Sequence, residues 1–305
     1  MIIPVIIAAH NEERAIGHCL DSLIASARAA EERLPVRFHL ITVLDDCTDG
    51  TRKVVEQRPG VEILLSSGGK VEAQRRATSL DAPFRVYADA DLLADRDALG
   101  SLAQAMLEDR HLLAAFPKLE PLPPKRRTPL AKALHLYNLR RGFSSQRTWF
   151  NGKLFALRKI SLPSREEVRS RARLLPKSKF FDYDQGLIAD DILLSRRVLL
   201  LGGPNALRET DGCVRYRAPE TLRGMYFYYR RLRREITRTN ALFPETQGAH
   251  QTRVADLLAQ APLREKALHA IFQFALTICR AFYRLEVAAS FEIDPWPAIA
   301  ETKEL

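Results

Sequence analysis

Short apolar runs and longer amphipathic stretches alternate through the first hundred residues. Residues 2–9, 38–44, 61–65 and 84–88 are strand-length and rich in β-branched or aromatic side chains. After Asn11, the residues Ile16, Cys19, Leu20, Leu23, Ile24 and Ala27 recur at helical spacing, which predicts a helix with Asn11 as its N-cap. Helical patterns also follow Asp49 and Gly69, and another runs from about 95 to 109. Strand alternating with helix predicts an α/β fold, a mostly parallel sheet covered on both faces. Such sheets bind ligands at the carboxyl ends of their strands.

Polar clusters fall at those ends. The first run stops at His10-Asn11-Glu12-Glu13, the second at Asp45-Asp46-Cys47-Thr48-Asp49-Gly50-Thr51, and the third at Ser66-Ser67-Gly68-Gly69-Lys70. The fourth stops at Asp89-Ala90-Asp91. Two carboxylates one residue apart at a strand end can take a hard divalent cation, and the cation can take phosphate oxygens. A capping loop is the competing reading of the same pair.

The order of these clusters resembles the family 2 glycosyltransferases, which use the GT-A fold. The opening pattern is similar to Ile3 through Glu12, the second-strand pattern to Asp45 through Thr51, and the metal motif to Asp89-Ala90-Asp91. Asp190-Asp191-Ile192-Leu193-Leu194-Ser195-Arg196-Arg197 resembles the family's acidic pair opening a helix that ends in Arg. The resemblance implies an inverting enzyme that moves a sugar from a nucleotide-diphosphate-sugar donor to an acceptor hydroxyl. It implies Mn²⁺ or Mg²⁺ held by Asp91 with help from Asp89, the latter near the ribose or sugar. It places the donor base near Asp46, with His10 where many relatives have an aromatic residue, alongside Asn11 and Glu12. Lys70 stands where relatives hold phosphate or base. Asp191 aligns with the catalytic base, and Asp190 replaces the more usual Glu before it. Acids at a helix start are also favoured without any chemistry. The segment 149–158 reads as a strand broken at Gly152, close to donor sugar and acceptor in relatives, with Trp149 either a sugar platform or a core residue.

A nucleotidyltransferase of related fold usually shows a Gly-rich basic segment after its first strand, where this chain has His10-Asn11-Glu12-Glu13. A non-catalytic nucleotide-binding scaffold is at odds with intact acids at Asp46, Asp89, Asp91 and Asp191.

The 305 residues suffice for one large domain, expected over 1–210, and a helical extension over 211–305. The first apolar run lacks a preceding basic region, and no apolar stretch reaches the length of a membrane span. The four cysteines form no CxxC, which predicts a cytoplasmic, reduced protein. The net charge of +10 concentrates at 125–127, 165–179 and 230–234. Such patches suit phosphate, a lipid surface or a solvated helix face. With no reader motif beside them, nucleic acid is not the expected partner. The 219–231 segment resembles an Arg-rich element of processive relatives, but the Gln and Trp that accompany it are missing. Ala267, Ile271, Phe274, Ile278, Phe282 and Leu285 form a stripe flanked by Arg264, Lys266, Arg280 and Arg284. Packing on the catalytic domain is the default for that stripe. A homodimer seam and peripheral contact with the inner face of the membrane are the functional readings. The acceptor class stays open between a glycan, a lipid-linked sugar and a small molecule.

Overall fold

Ile3, Val5, Ile7 and Ala9 turn to one face of the first strand and Ile6 to the other, and both faces are buried. That period of two, repeated at Val86 and Ala88 against Tyr87, makes the sheet the wall between two cores. The computed structural model describes residues 1–77, 82–142, 150, 152–158, 160–175, 190–247, 262–289 and 299–305.

In chain order, β1 (Ile2–Ala9), α1 (Ile16–Glu31), β2 (Arg37–Asp45), α2 (Thr51–Glu56), β3 (Glu62–Ser66), α3 (Lys70–Arg76) and β4 (Arg85–Asp89) build the first half. Then come β5 (Leu92–Ala94), α4 (Ala98–Glu108), β6 (Ala114–Pro121), α5 (Pro129–Gly142), β7 (Leu154–Leu157) and α6 (Arg165–Ala172). The rest is α7 (Asp190–Gly202), β8 (Leu207–Tyr216), α8 (Leu222–Leu242) and α9 (Leu263–Ala289). The sheet order is β3-β2-β1-β4-β7-β6-β8-β5. It is parallel across β3, β2, β1 and β4, as the alternating pattern predicts, and turns antiparallel at β7. The fold is α/β with a mixed sheet and helices on both faces.

Three details differ from expectation. Asn11 does not cap α1: Ala15 occupies that position without a side-chain bond. Asn11 instead sits at φ 53° and its Oδ1 accepts the Thr48 backbone N–H at 2.8 Å, bridging two strand ends. Asn tolerates the left-handed region, so the loop can turn there. Next, β8 crosses residue 210 and lies inside the sheet between β6 and β5, so the mainly helical part begins after Tyr216. Last, the buried face of α9 is Phe272, Ala275 and Cys279, packed on α5 and α8, with Tyr137 and Phe272 stacked at 3.9 Å. Of the expected stripe, Ile271 packs on this contact, whereas Phe274 is 70% exposed and Phe282, its ring edge-on to Tyr226, is 56% exposed, so the stripe meets the contact only in part.

Candidate functional site

The site assembles where β1, β2 and β4 end. The β2–β3 side is fixed first. The buried Asp45 carboxylate accepts the backbone N–H groups of Gly68 and Gly69 through Oδ1, at 3.1 and 3.2 Å. Gly69 has φ 86°, a conformation that costs a side-chain-bearing residue but not glycine. The pinned turn starts α3 at Lys70 and aims that lysine across the ends of β1 and β4.

Lys70 Nζ lies 2.8 Å from Asp89 Oδ1 and 2.9 Å from Asp190 Oδ1. One ammonium therefore joins the end of β4 to the first residue of α7. Asp190 is buried and its other oxygen accepts from Gln74 Nε2 at 2.7 Å. Asp191, by contrast, accepts two backbone N–H groups, Gly152 at 3.1 Å and its own helix's Ile192 at 3.0 Å. Gly152 leaves room for this approach: a Cβ there would stand 3.2 Å from Lys70 Nζ, so that the ammonium would have to shift slightly, and 3.6 Å from the Asp191 Cβ, an ordinary contact.

On the other flank, Lys153 Nζ lies 2.5 Å from Asp91 Oδ1 and 3.3 Å from Asp89 Oδ2. Asp91 sits in the turn between β4 and β5. Glu12 Oε1 pairs with Lys303 Nζ at 2.7 Å, and Glu12 Oε2 is buried without a partner among the described residues. Lys303 also donates to the backbone carbonyls of His10 and Asn11, at 3.3 and 3.0 Å, so residues near the C-terminus close the β1 end of the site.

The electrostatics follow from burial and partner. Burial and the neighbouring Asp190 push the Asp191 carboxyl up to about 6, with Lys70 opposing. Burial and Asp91 push Glu12 up to about 7. Burial alone would raise Asp89, but Lys70 and Lys153 outweigh it and hold that carboxyl below its ordinary range. Burial works against the charge on Lys70, and Asp190 and Asp89 reverse the outcome, holding the ammonium well above the ordinary lysine value. Asp91 and Asp89 do the same for Lys153.

The residues picked out from sequence divide into two groups. Asp89, Asp91, Asp190, Asp191, Lys70 and Glu12 belong to this cluster. His10 and Asp46 are exposed at the neighbouring strand ends. The His10 ring accepts from Asn11 Nδ2 at 3.4 Å and donates from Nδ1 to the Asp45 carbonyl at 2.6 Å, which fixes its tautomer. Asp46 is at φ 44° and its carboxylate faces solvent. Trp149 lies outside the described residues. Lys153 and Lys303 were missed. Lys153 could have been suspected from a lone lysine following Gly152 in the segment 149–158; Lys303 carries no local signal.

A divalent ion at Asp89 and Asp91 does not fit the donor set as it stands. Three of the four oxygens of that pair face ammonium groups within 3.3 Å. No group of three or more His, Cys, Asp or Glu side chains suited to a metal occurs among the described residues. Nor is any helix among them long and apolar enough to cross a membrane.

The family model described as Glycosyl transferase family 2 matches residues 5–166, just over half of the chain. No curated protein sequence matches significantly. Among solved structures, the chain is similar to glucosyl-3-phosphoglycerate synthase from Mycobacterium tuberculosis in complex with Mn²⁺, UDP-glucose and phosphoglyceric acid. That pair is 19% identical, covering 77% of this chain and 79% of the other at a TM-score of 0.47. The mannosyltransferase of Pyrobaculum calidifontis in complex with GDP-Man and Mn²⁺ is 18% identical, covering 94% and 78% at 0.48. Mannosyl-3-phosphoglycerate synthase from Rubrobacter xylanophilus is 19% identical, covering 83% and 77% at 0.48.

Proposed function

The chain belongs to glycosyltransferase family 2, and from that premise we propose that it moves a sugar from a nucleotide-diphosphate-sugar to an acceptor hydroxyl with inversion, using Asp191 as general base. One observation carries this reading. Lys70 ties Asp89 to Asp190, 120 residues beyond the lysine in the chain, so the acids of the fourth strand end and of α7 share one recess.

The two members of the acidic pair are then suited to different work. Asp190 is locked by Lys70 and Gln74 and organises the recess. Among the described residues Asp191 is held by backbone N–H groups, and its burial, together with the second carboxylate beside it, raises its proton affinity toward neutrality. A base of that strength takes a proton in the transition state more readily than an ordinary aspartate. In the step, the acceptor oxygen bonds to the anomeric carbon and its proton goes to Asp191. The bond from that carbon to the diphosphate breaks, and its electron pair leaves with the diphosphate. His10 and Asp46, exposed at adjoining strand ends, offer a ring face and an acceptor for a nucleobase.

A panel of UDP-, GDP-, dTDP- and CDP-sugars tests the proposal through release of nucleoside diphosphate, with proton NMR of the released or transferred sugar. Turnover of one donor with inverted anomeric configuration is expected. Retained configuration would overturn the single displacement, and turnover of none would overturn the activity.

A further inference from the structure

Lys153 is not a surface side chain that happens to reach the acids. Its own backbone carbonyl accepts the Asp89 N–H at 2.8 Å, immediately before β7 pairs with β4. The preceding Gly152 N–H is held by Asp191. The lysine and the carboxylates it contacts are therefore fixed by the same two strands and cannot drift apart independently.

Its ammonium lies against Asp91 and Asp89, and Lys70 takes the remaining Asp89 oxygen. These side chains still reach solvent: Lys153 is 20% exposed, Lys70 22% and Asp91 17%. We propose that Lys153, with Lys70 beside it, supplies from within the chain the positive charge that the family resemblance assigned to a divalent metal, so that nucleoside diphosphate binds without one. The proposal rests on the reading of this recess as a nucleotide-sugar site. Asp89 and Asp91 then serve as positioning residues that hold two ammoniums toward the diphosphate. Fixed cations aimed at a leaving group stabilise the charge it gains as the bond breaks, and they do so without reorganising.

The test is calorimetry with the full chain. UDP, GDP, dTDP and CDP are titrated in EDTA and again in excess Mn²⁺. Whichever diphosphate binds is expected to do so with affinities within about threefold of each other in the two conditions. Lys153→Met keeps the aliphatic stem and removes the charge. It should weaken binding in EDTA by about tenfold or more, while Lys153→Arg stays within about tenfold of the wild type. Electron paramagnetic resonance of added Mn²⁺ gives a readout without nucleotide. The wild type should bind the ion weakly, and Lys153→Met, with Asp91 and one Asp89 oxygen released while Lys70 keeps the other, about tenfold tighter. The wild-type comparison needs no variant, so a misfolded mutant leaves the proposal testable. Nucleoside diphosphate binding that requires Mn²⁺ in the wild type, or that survives Lys153→Met unchanged in EDTA, would overturn it. Binding of none of the four, with or without Mn²⁺, would overturn the nucleotide-sugar reading and the lysine assignment with it.

Discussion

Adjacent aspartates at the start of α7 have different partners, and the difference is the basis for assigning their roles. Among the described residues, Asp190 receives a lysine ammonium and a side-chain amide, and Asp191 receives backbone N–H groups. Asp191→Asn should therefore slow transfer by roughly 10²-fold or more while nucleoside diphosphate affinity, measured by calorimetry, stays near normal. The wild-type rate should fall on the acid side with a midpoint near 6, as Asp191 protonates beside Asp190, Lys70 and Asp89, and the asparagine variant should lose that limb. Lys70 serves the fold as much as the chemistry. Replacing it by Met leaves the buried Asp190 and the partly buried Asp89 without their shared cation. A loss of about 3 kcal/mol in urea unfolding is expected, the scale for breaking a buried ion pair from one side. Adding Asp190→Asn in that background should recover part of the loss, because one of the two stranded charges is then gone.

Among the elements, the parallel strands follow their apolar runs closely, since alternation and β-branching act on neighbouring residues. The C-terminal helices do not follow their patterns. In α8, Arg230, Arg234 and Arg238 are buried one turn apart, with Arg238 Nη1 2.8 Å from Glu235 Oε1 and Arg230 Nη1 3.3 Å from Glu286. Arg230 and Arg234 of the basic run at 230–234 are thus internal, while Arg231 is half-buried and Arg233 exposed. In α9, Phe272 is 4% exposed whereas Phe274 is 70% exposed. Phe272→Ala should cost about 3–5 kcal/mol, the range for emptying a buried aromatic site. Phe274→Ser should stay within about 0.5 kcal/mol of the wild type, as expected for a surface position. Chemical denaturation of the two variants checks the helix register directly, and equal effects would place the packed face elsewhere.

At the scale of the whole molecule, the buried charges give stability a defined pH dependence. Asp191 has its proton affinity raised in the fold, from an ordinary 3.8 to about 6. Its contribution is fully present below the unfolded value and is lost as pH rises through about 6. Asp89 is held below its ordinary value, so its contribution is present above that value and is lost as pH falls through the lowered one. Melting temperature should therefore rise as pH drops from 7 toward 5 and fall below about 4, the ordinary aspartate range. Glu12, raised to about 7, adds to the same rise, so Asp191→Asn should lessen it without abolishing it and leave the acid collapse in place. By itself the sequence determined the parallel half of the sheet, the helices that cover it and the acids at its strand ends. Those depend on local periodicity and on which residues follow a strand, and both can be read along the chain. Only the tertiary structure decided that Lys70 would bridge Asp89 and Asp190, that Lys153 would lie on Asp91, and that Lys303 would reach back to Glu12. An ion pair carries no periodicity, and its partners meet through strand order: β7 inserts antiparallel beside β4, so the lysine before it lands among carboxylates more than sixty residues away in the chain.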